Sequence, residues 1–430
     1  MKVDINKINE YTLEFCVDIP WSELKGDFNK SLKKFNRKVK IPGFRPGKVP
    51  RERLLQQFLP NIEADFMEEN FQKYYLMAVQ QENIIPVNKA EISDVDFHMN
   101  KHFVFKARFE IEPGNTLPNF KKNMLNVQKT KYIHDEQDIN DAIDQLRKSH
   151  ARIQTIENGA IEGDFVICTL QKLDDSGIPI IGKKYEKQYL KVGGGSFTDD
   201  QKDKLIGIKA NEKTRLKLPV NKEGDGADYE LTVNNVEREI LPDLDDNFLK
   251  LVNPELTSID ELREDVEKKI QDNFKERSKT TFEKDLIDSF INISDPVFAP
   301  SMLENYLGNI IADLRKKNDG ETIDEPKVRE QYKPMAEQNL KWFSLRKLLI
   351  KQENFSASKE EIEAEVEKLV TRSPSSEKEI RKYYKKPSNR DSINENIVEK
   401  KILDYLLQFA KVKDVEVKTK DIRGEHHEHG

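Results

Sequence analysis

Residues 41–50 read Ile41-Pro42-Gly43-Phe44-Arg45-Pro46-Gly47-Lys48-Val49-Pro50. Proline fixes φ near −65°, and glycine supplies the positive-φ positions that other side chains resist. Three prolines and two glycines in ten residues therefore predict a tight, stiff loop. Such a loop holds Phe44 between cations. Rigid presentation lowers the cost of ordering a docking surface, Phe44 can enter an apolar crevice, and Arg45 and Lys48 can meet phosphates or carboxylates. The alternative is an ordinary turn whose Phe44 folds back into its own core.

Tyr11 to Val17 alternates like a strand, Pro20 stops it, and Trp21, Leu24, Phe28, Leu32 and Phe35 then recur at helical spacing. A second helix is expected to start near Val49-Pro50, because proline suits a first helical turn. Residues 43–48 thus become the tip of a helical hairpin. Beyond it, Glu91 to Phe97 and His102 to Ile111 read as strands, with Phe103, Phe105, Ala107 and Phe109 on one face. An α+β domain is expected to close at Pro113-Gly114, spanning residues 1–113.

The hairpin is also where charge concentrates. Residues 25–53 carry Lys25, Lys30, Lys33, Lys34, Arg37, Lys38, Lys40, Arg45, Lys48, Arg51 and Arg53 against Asp27 and Glu52, a local 11 − 2 = +9 in a chain of net charge −6. A polyanion attracts such a segment, and nucleic acid and the ribosome surface are the obvious ones; one solvated helix face is the bland alternative. A length of 430 residues with 35% charged residues implies several domains and much solvated surface. Cys16 and Cys168 are far apart without a C-x-x-C, so neither a disulfide framework nor a zinc site is indicated. The N-terminal residues read without an apolar signal segment and no stretch has the length of a membrane span, so a cytoplasmic chain with no membrane partner is expected.

Residues 114–150 read as a linker that becomes helical, with Ile139, Ile143 and Leu146 at three- and four-residue steps. After Glu162-Gly163-Asp164 the pattern changes to short β runs at Phe165 to Leu170, Tyr189 to Val192, Arg215 to Leu218 and Tyr229 to Val236, with one short helix near Asp199 to Leu205. Turn-forming stretches separate them, so residues 151–242 form a small antiparallel β domain. From residue 243 to 430 the chain reads as almost wholly helical, with capping boxes at Ser258/Glu261 and Ser358/Glu361. Helices are expected near 259–292, 300–317, 326–352, 359–371 and 390–411, making irregular arms.

In that setting the chain resembles the bacterial trigger factors, whose N-terminal signature is a Gly-Phe-Arg-x-Gly-x-x-Pro loop between two helices. Here it stands as Gly43-Phe44-Arg45-Pro46-Gly47-Lys48-Val49-Pro50, and the resemblance covers essentially the whole chain. It implies a multidomain α+β protein: a ribosome-binding α+β domain, an FKBP-like β domain and an elongated all-α C-terminal domain with arms. Its implied function is an ATP-independent chaperone, without cofactors, that binds nascent and unfolded polypeptides in a cradle. By the same resemblance, Gly43, Phe44, Arg45, Gly47, Lys48 and Pro50 dock it on the large ribosomal subunit, against protein and rRNA near the exit tunnel. A homodimer off the ribosome is likewise implied. Pro46 stands where the family often has lysine.

The β domain is similar to the family's FKBP-like prolyl-isomerase module through Glu162-Gly163-Asp164, the first strand and the segment Val192 to Gly207. Such modules lower the barrier to peptide-bond rotation, about 18–20 kcal/mol, by holding proline in a dry aromatic pocket. Here Leu170 replaces the aromatic expected late in the first strand, Thr198-Asp199-Asp200-Gln201 replaces an apolar run, and the flap shrinks to Asn221 through Asp228. Phe197, Leu205 and Ile206 remain the apolar pocket candidates, with Tyr185 and Tyr189 of open orientation. A degenerate isomerase domain acting as a spacer or auxiliary surface is expected, and a working prolyl isomerase is the rival. Phe298, Met302, Leu303, Tyr306, Leu307, Phe343, Leu348 and Leu349 are candidates for the cradle surface or for core. Gly193-Gly194-Gly195 reads as a turn, since no Gly-Lys-Ser/Thr follows it. His426, His427 and His429 read as a frayed tail or a loose metal ligand set; no metal site is assigned.

Overall fold

A computed structural model describes residues 1–194, 199–219, 226–317 and 323–425. In chain order its elements are β1 Lys2–Lys7, β2 Thr12–Pro20, α1 Trp21–Lys38, α2 Arg51–Gln81, β3 Glu91–Phe97, β4 His102–Glu110, β5 Leu125–Ile133 and α3 Glu136–Ser149. Next come β6 Arg152–Thr155, β7 Phe165–Leu173, β8 Pro179–Lys191, α4 Asp199–Leu205, β9 Lys213–Pro219 and β10 Gly226–Ile240. The remainder is α5 Asp246–Val252, α6 Ile259–Ser294, α7 Pro300–Lys317, α8 Glu325–Glu353, α9 Lys359–Arg372, α10 Glu377–Tyr383, α11 Pro387–Leu407, β11 Ala410–Lys418 and α12 Thr419–Glu425. Two compact units result, one from residues 1–129 and 280–413, the other from 130–279 and 414–430.

In the first unit, an antiparallel sheet of order β1-β2-β4-β3 is covered by α1 and α2. The period-two pattern buries Phe15, Val17 and Ile19 of β2 with Phe103, Phe105, Ala107 and Phe109 of β4, and Leu24, Phe28 and Leu32 of α1 close on them. Phe28 sits at the centre, its ring 5.2 Å from Trp21 and 5.6 Å from Phe66 of α2. Pro60 lies inside α2, and the helix departs from helical geometry at Phe58, the bend a missing N–H and a crowded preceding turn produce.

A second core of the same unit gathers Leu125, Val127, Phe290, Leu345, Leu349, Val398, Ile402 and Leu406. Asn115 joins the two cores: its amide donates to the Val297 carbonyl and to Ser344 Oγ, both at 2.8 Å, and accepts from the Val297 N–H at 2.9 Å. At the start of α7 the Ser301 N–H donates to Glu110 at 2.9 Å, a carboxylate placed where a helix N-terminus favours negative charge.

In the second unit, residues 152–240 form a five-stranded antiparallel sheet, order β6-β10-β7-β8, with β9 on β10. Its core is Val166, Cys168, Leu170, Val192, Leu205, Ile208, Leu216, Leu231, Val233 and Val236 with Ala160 and Leu218. Asp164, at the start of β7, is buried and accepts two bonds from Arg238 of β10, at 2.7 and 2.8 Å, and one from the Ile161 N–H at 2.8 Å.

Several elements correct the expectation. β1, β5, β6 and β11 were not anticipated, and the region expected to be almost wholly helical contains a strand: α11 ends at Leu407 and β11 pairs with β5. In β11, Ala410 and Val412, then Val415 and Val417, alternate with charged residues, a β pattern too short to announce itself beside a long helix. At α9 the Ser358/Glu361 capping box is complete. At α6 Ser258 accepts from the Glu261 N–H, while Glu261 takes its bonds from Thr257.

Candidate functional site

Helices α1 and α2 carry the loop at 41–50 between them. Its first half turns at Pro42-Gly43, where the Phe44 N–H donates to the Ile41 carbonyl at 3.1 Å and Gly43 has φ +87°. The second half repeats this at Pro46-Gly47: the Lys48 N–H donates to the Arg45 carbonyl at 3.0 Å and Gly47 has φ +79°. Proline followed by a positive-φ glycine is the type II pattern, so two such turns stand in tandem with Phe44 and Arg45 between them.

Asn36, in the last turn of α1, locks the base. Its carbonyl accepts from the Gly47 N–H at 2.9 Å, and its amide donates to the Val49 carbonyl at 2.9 Å and accepts from the Val49 N–H at 3.3 Å. Val49 drops into the core at 4% exposure, while Phe44 stands 40% exposed with Arg45, Pro46, Lys48 and Pro50 exposed around it. Sequence reasoning passed over Asn36. The only signal was an amide side chain near the end of a helix, where it competes for backbone partners.

Of the eleven basic residues over 25–53, Lys30 pairs with Asp27 at 3.0 Å and Lys34 with Glu69 at 3.2 Å, and Arg51 donates to Asn29 at 2.6 Å. Arg37, Lys40, Arg45 and Lys48 make no ion pair among the described residues. Lys34 with Glu69, and Lys73 with Asp27, hold α1 against α2. Asp27 accepts from Lys73, Lys30 and Tyr74 at once, and these bonds, Lys73's foremost, outweigh partial burial and lower its carboxyl to about 2. Burial pushes Glu69 upward, but hydrogen bonds from Lys34 and Ser31 carry it below the usual range. Carboxylates thus fix part of the charge on the body of the hairpin, and none of them reaches the cations of the loop.

The β domain presents a different surface. Leu205 is sealed in the core at 0% exposure, its neighbour Ile206 is 46% exposed, and Phe197 lies outside the described residues, as do Thr198 and the flap residues 221–225. Leu170 is buried, and Tyr185 and Tyr189 are exposed. Gln201 donates to the Lys217 carbonyl. Among the described residues every buried member of this core is aliphatic or a cysteine, with half-buried Tyr229 packed against it and edge-on to Tyr185 at 6.4 Å; burial pushes the Cys168 thiol up to about 12, which leaves it unreactive.

In the first unit an apolar groove runs between the later turns of α6 and the middle of α8, lined by Ile287, Ile291, Met335 and Trp342 together with Lys284, Asp288 and Gln338. Of the cradle candidates, Leu307 and Leu349 are buried core, Phe298, Met302, Leu303, Tyr306 and Leu348 are half-buried, and Phe343 is exposed. Met335 and Trp342 were not among the candidates. No described helix is long and apolar enough to cross a membrane, and His426, His427 and His429 lie outside the described residues.

Comparison with known proteins adds to this geometry. A family model described as bacterial trigger factor protein (TF) matches residues 1–146, and one described as bacterial trigger factor protein (TF) C-terminus matches residues 258–408, together well over half of the chain. The trigger factor of Halalkalibacterium halodurans is 27% identical over 422 residues, covering 92% of this chain and 96% of that protein. That of Clostridium kluyveri is 27% identical over 432 residues, covering 96% and 100%. A solved structure of a trigger factor chaperone aligns over 95% of this chain and 99% of that one at 20% identity, with a TM-score of 0.44.

Proposed function

The chain belongs to the bacterial trigger factor family, and from that premise we propose that it is a ribosome-associated, ATP-independent chaperone for nascent and unfolded polypeptides in the cytoplasm. One observation carries the residue-level reading: Phe44 stands exposed on two tandem turns, flanked by cations that no carboxylate of the described chain neutralises. Phe44 is the apolar anchor, Arg45 and Lys48 meet anionic groups on protein and rRNA beside the exit of the large subunit, and Gly43, Gly47 and Pro50 set the turns. A central apolar residue ringed by polar contacts is the usual anatomy of a binding hot spot.

Client binding needs no nucleotide. Apolar surface gains about 25 cal/mol per Å² on leaving water, and a shallow groove such as that over Ile287, Ile291, Met335 and Trp342 covers a little of it reversibly. Weak contact is the functional choice, since the client's own folding must win. Without a ribosome, two copies of the chain can cover such surfaces mutually, which is the physical reason to propose a homodimer. The β domain serves as a folded spacer or auxiliary surface; among the described residues its buried core is aliphatic apart from Cys168, with Tyr229 and Tyr185 the rings beside it, so the isomerase reading is not favoured over the chaperone one.

Co-sedimentation with ribosomes tests the loop. Phe44→Ala combined with Arg45→Ala removes an exposed anchor and one charge without touching the core, so binding is expected to fall at least about thirtyfold, or ~2 kcal/mol, with thermal stability unchanged. Undiminished co-sedimentation of the folded double variant overturns the assignment.

A further inference from the structure

A second basic, aromatic stretch lies far from the loop. Residues 378–390 read Lys378-Glu379-Ile380-Arg381-Lys382-Tyr383-Tyr384-Lys385-Lys386-Pro387-Ser388-Asn389-Arg390, six cations against one carboxylate, 6 − 1 = +5 in a chain of net charge −6. It forms the elbow between α10 and α11.

The elbow is braced from behind. Asn389 donates to the Tyr383 carbonyl at 2.7 Å and Arg390 to the Tyr384 carbonyl at 2.5 Å, so α11 fixes the backbone of both tyrosines. Arg381 is bound to Glu367 and Glu377, and Arg390 to Glu363 at 2.7 Å, which ties the elbow to α9 and takes both arginines out of the free charge. Tyr384 is half-buried and meets Tyr383 edge-on, ring centres 5.0 Å apart, propping it outward. Tyr383 is 58% exposed. Lys378, Lys382, Lys385 and Lys386 are exposed and form no ion pair among the described residues. The structure thus uses its arginines for bracing and leaves its lysines and one flat ring to solvent.

We infer that this elbow is a second polyanion-binding surface, and that its partner is single-stranded RNA, such as an exposed loop. Lysine ammonium groups act as point charges for phosphates, and an exposed ring beside them stacks on an unpaired base whatever its identity. An acidic protein segment satisfies the lysines but offers the ring no π-face, which decides for RNA. The inference does not rest on the loop at 41–50, and its test removes that loop's contribution.

The full chain carrying Phe44→Ala, Arg45→Ala and Lys48→Ala serves as the reference, with binding of a short fluorescent oligoadenylate followed by anisotropy over a salt series. Replacing Lys382, Lys385 and Lys386 by alanine is expected to weaken binding at least about tenfold and to flatten the slope of log K against log salt by about 2, three contacts at ~0.7 each. Tyr383→Ala is expected to cost about tenfold, and Tyr383→Phe to keep the affinity. Unchanged affinity in the lysine variant, or equal loss in Tyr383→Phe and Tyr383→Ala, overturns the proposal. Displacement of the RNA by polyglutamate as effectively as by unlabelled oligoadenylate overturns it too, assigning the surface to an acidic protein instead.

Discussion

The loop at 41–50 and the β domain over 152–240 both turn on positive-φ glycines, and what the surrounding residues do with those turns differs. In the loop, every group that could dock is adjacent in sequence, and the backbone chemistry that orders the loop also displays Phe44. In the β domain the glycines still do their work. Gly159 has φ +97°, and a Cβ there would lie 2.5 Å from the Gly207 carbonyl oxygen, so no other residue fits. Yet the described residues buried in the interior come from three strands, a helix and the loops between them, and they are aliphatic apart from Cys168, with Tyr229 packed against them half-buried. A fold tolerates many such sets, because any well-packed apolar set of the right volume satisfies it.

If the β domain is chiefly structural, damage to it should leave docking intact. Arg238→Ala is the strongest way to test this, because it strands the Asp164 carboxylate in the core with the Ile161 N–H as its remaining donor. Leaving a buried acceptor short of its partners costs about 1–3 kcal/mol, and Arg238 is partly exposed, so the loss is expected toward the upper end of that range but not beyond it. Limited proteolysis and calorimetry should show residues 152–240 unfolding far earlier, with ribosome co-sedimentation unaltered. Parallel loss of co-sedimentation would mean that the two regions do not act separately.

The same contrast explains what could be read from the sequence. The hairpin, both long strands of its sheet and the helices of the C-terminal half announce themselves through local periodicity and proline placement. β5 and β11 do not, since their pairing joins segments nearly three hundred residues apart. The docking candidates were legible as residue types, but the lock that Asn36 applies to Gly47 and Val49 was not. The pocket candidates show the limit from the other side. Leu205 and Ile206 are adjacent in sequence and lie in opposite environments, one in the core and one in solvent, because α4 ends between them.

Acid should loosen the hairpin through Asp27. Its folded pKa, held down to about 2 by Lys73, Lys30 and Tyr74, lies below the ordinary value of 3.8. A depressed carboxyl contributes stability that is complete above the unfolded value and is lost as pH falls through the folded one. The expected contribution is about 2 kcal/mol, declining between about pH 4 and pH 2. Denaturant midpoints of the wild type and Asp27→Asn should therefore differ at pH 7 and converge near pH 2. A gap that persists at pH 2 would show that Asp27 acts through packing instead of charge.

The smallest effect separates display from stability inside the loop itself. Gly43 and Gly47 have the same turn geometry but different anchorage. A Cβ at Gly43 meets no atom within 4 Å, and the Phe44 to Ile41 bond closes that turn on itself without reaching α1. The Gly47 N–H is bound to the Asn36 carbonyl, next to a valine fixed in the core. Placing alanine in left-handed backbone costs about 1–2 kcal/mol wherever the turn cannot relax. Gly47→Ala, pinned, should hold its conformation and lose about 1 kcal/mol of stability with docking nearly intact. Gly43→Ala, unpinned, should relax to negative φ, leave the melting temperature nearly unchanged, swing Phe44 away and weaken ribosome binding several-fold. The reverse outcome would place the rigidity of the loop in its first turn, and would make the Asn36 lock incidental to how Phe44 is presented.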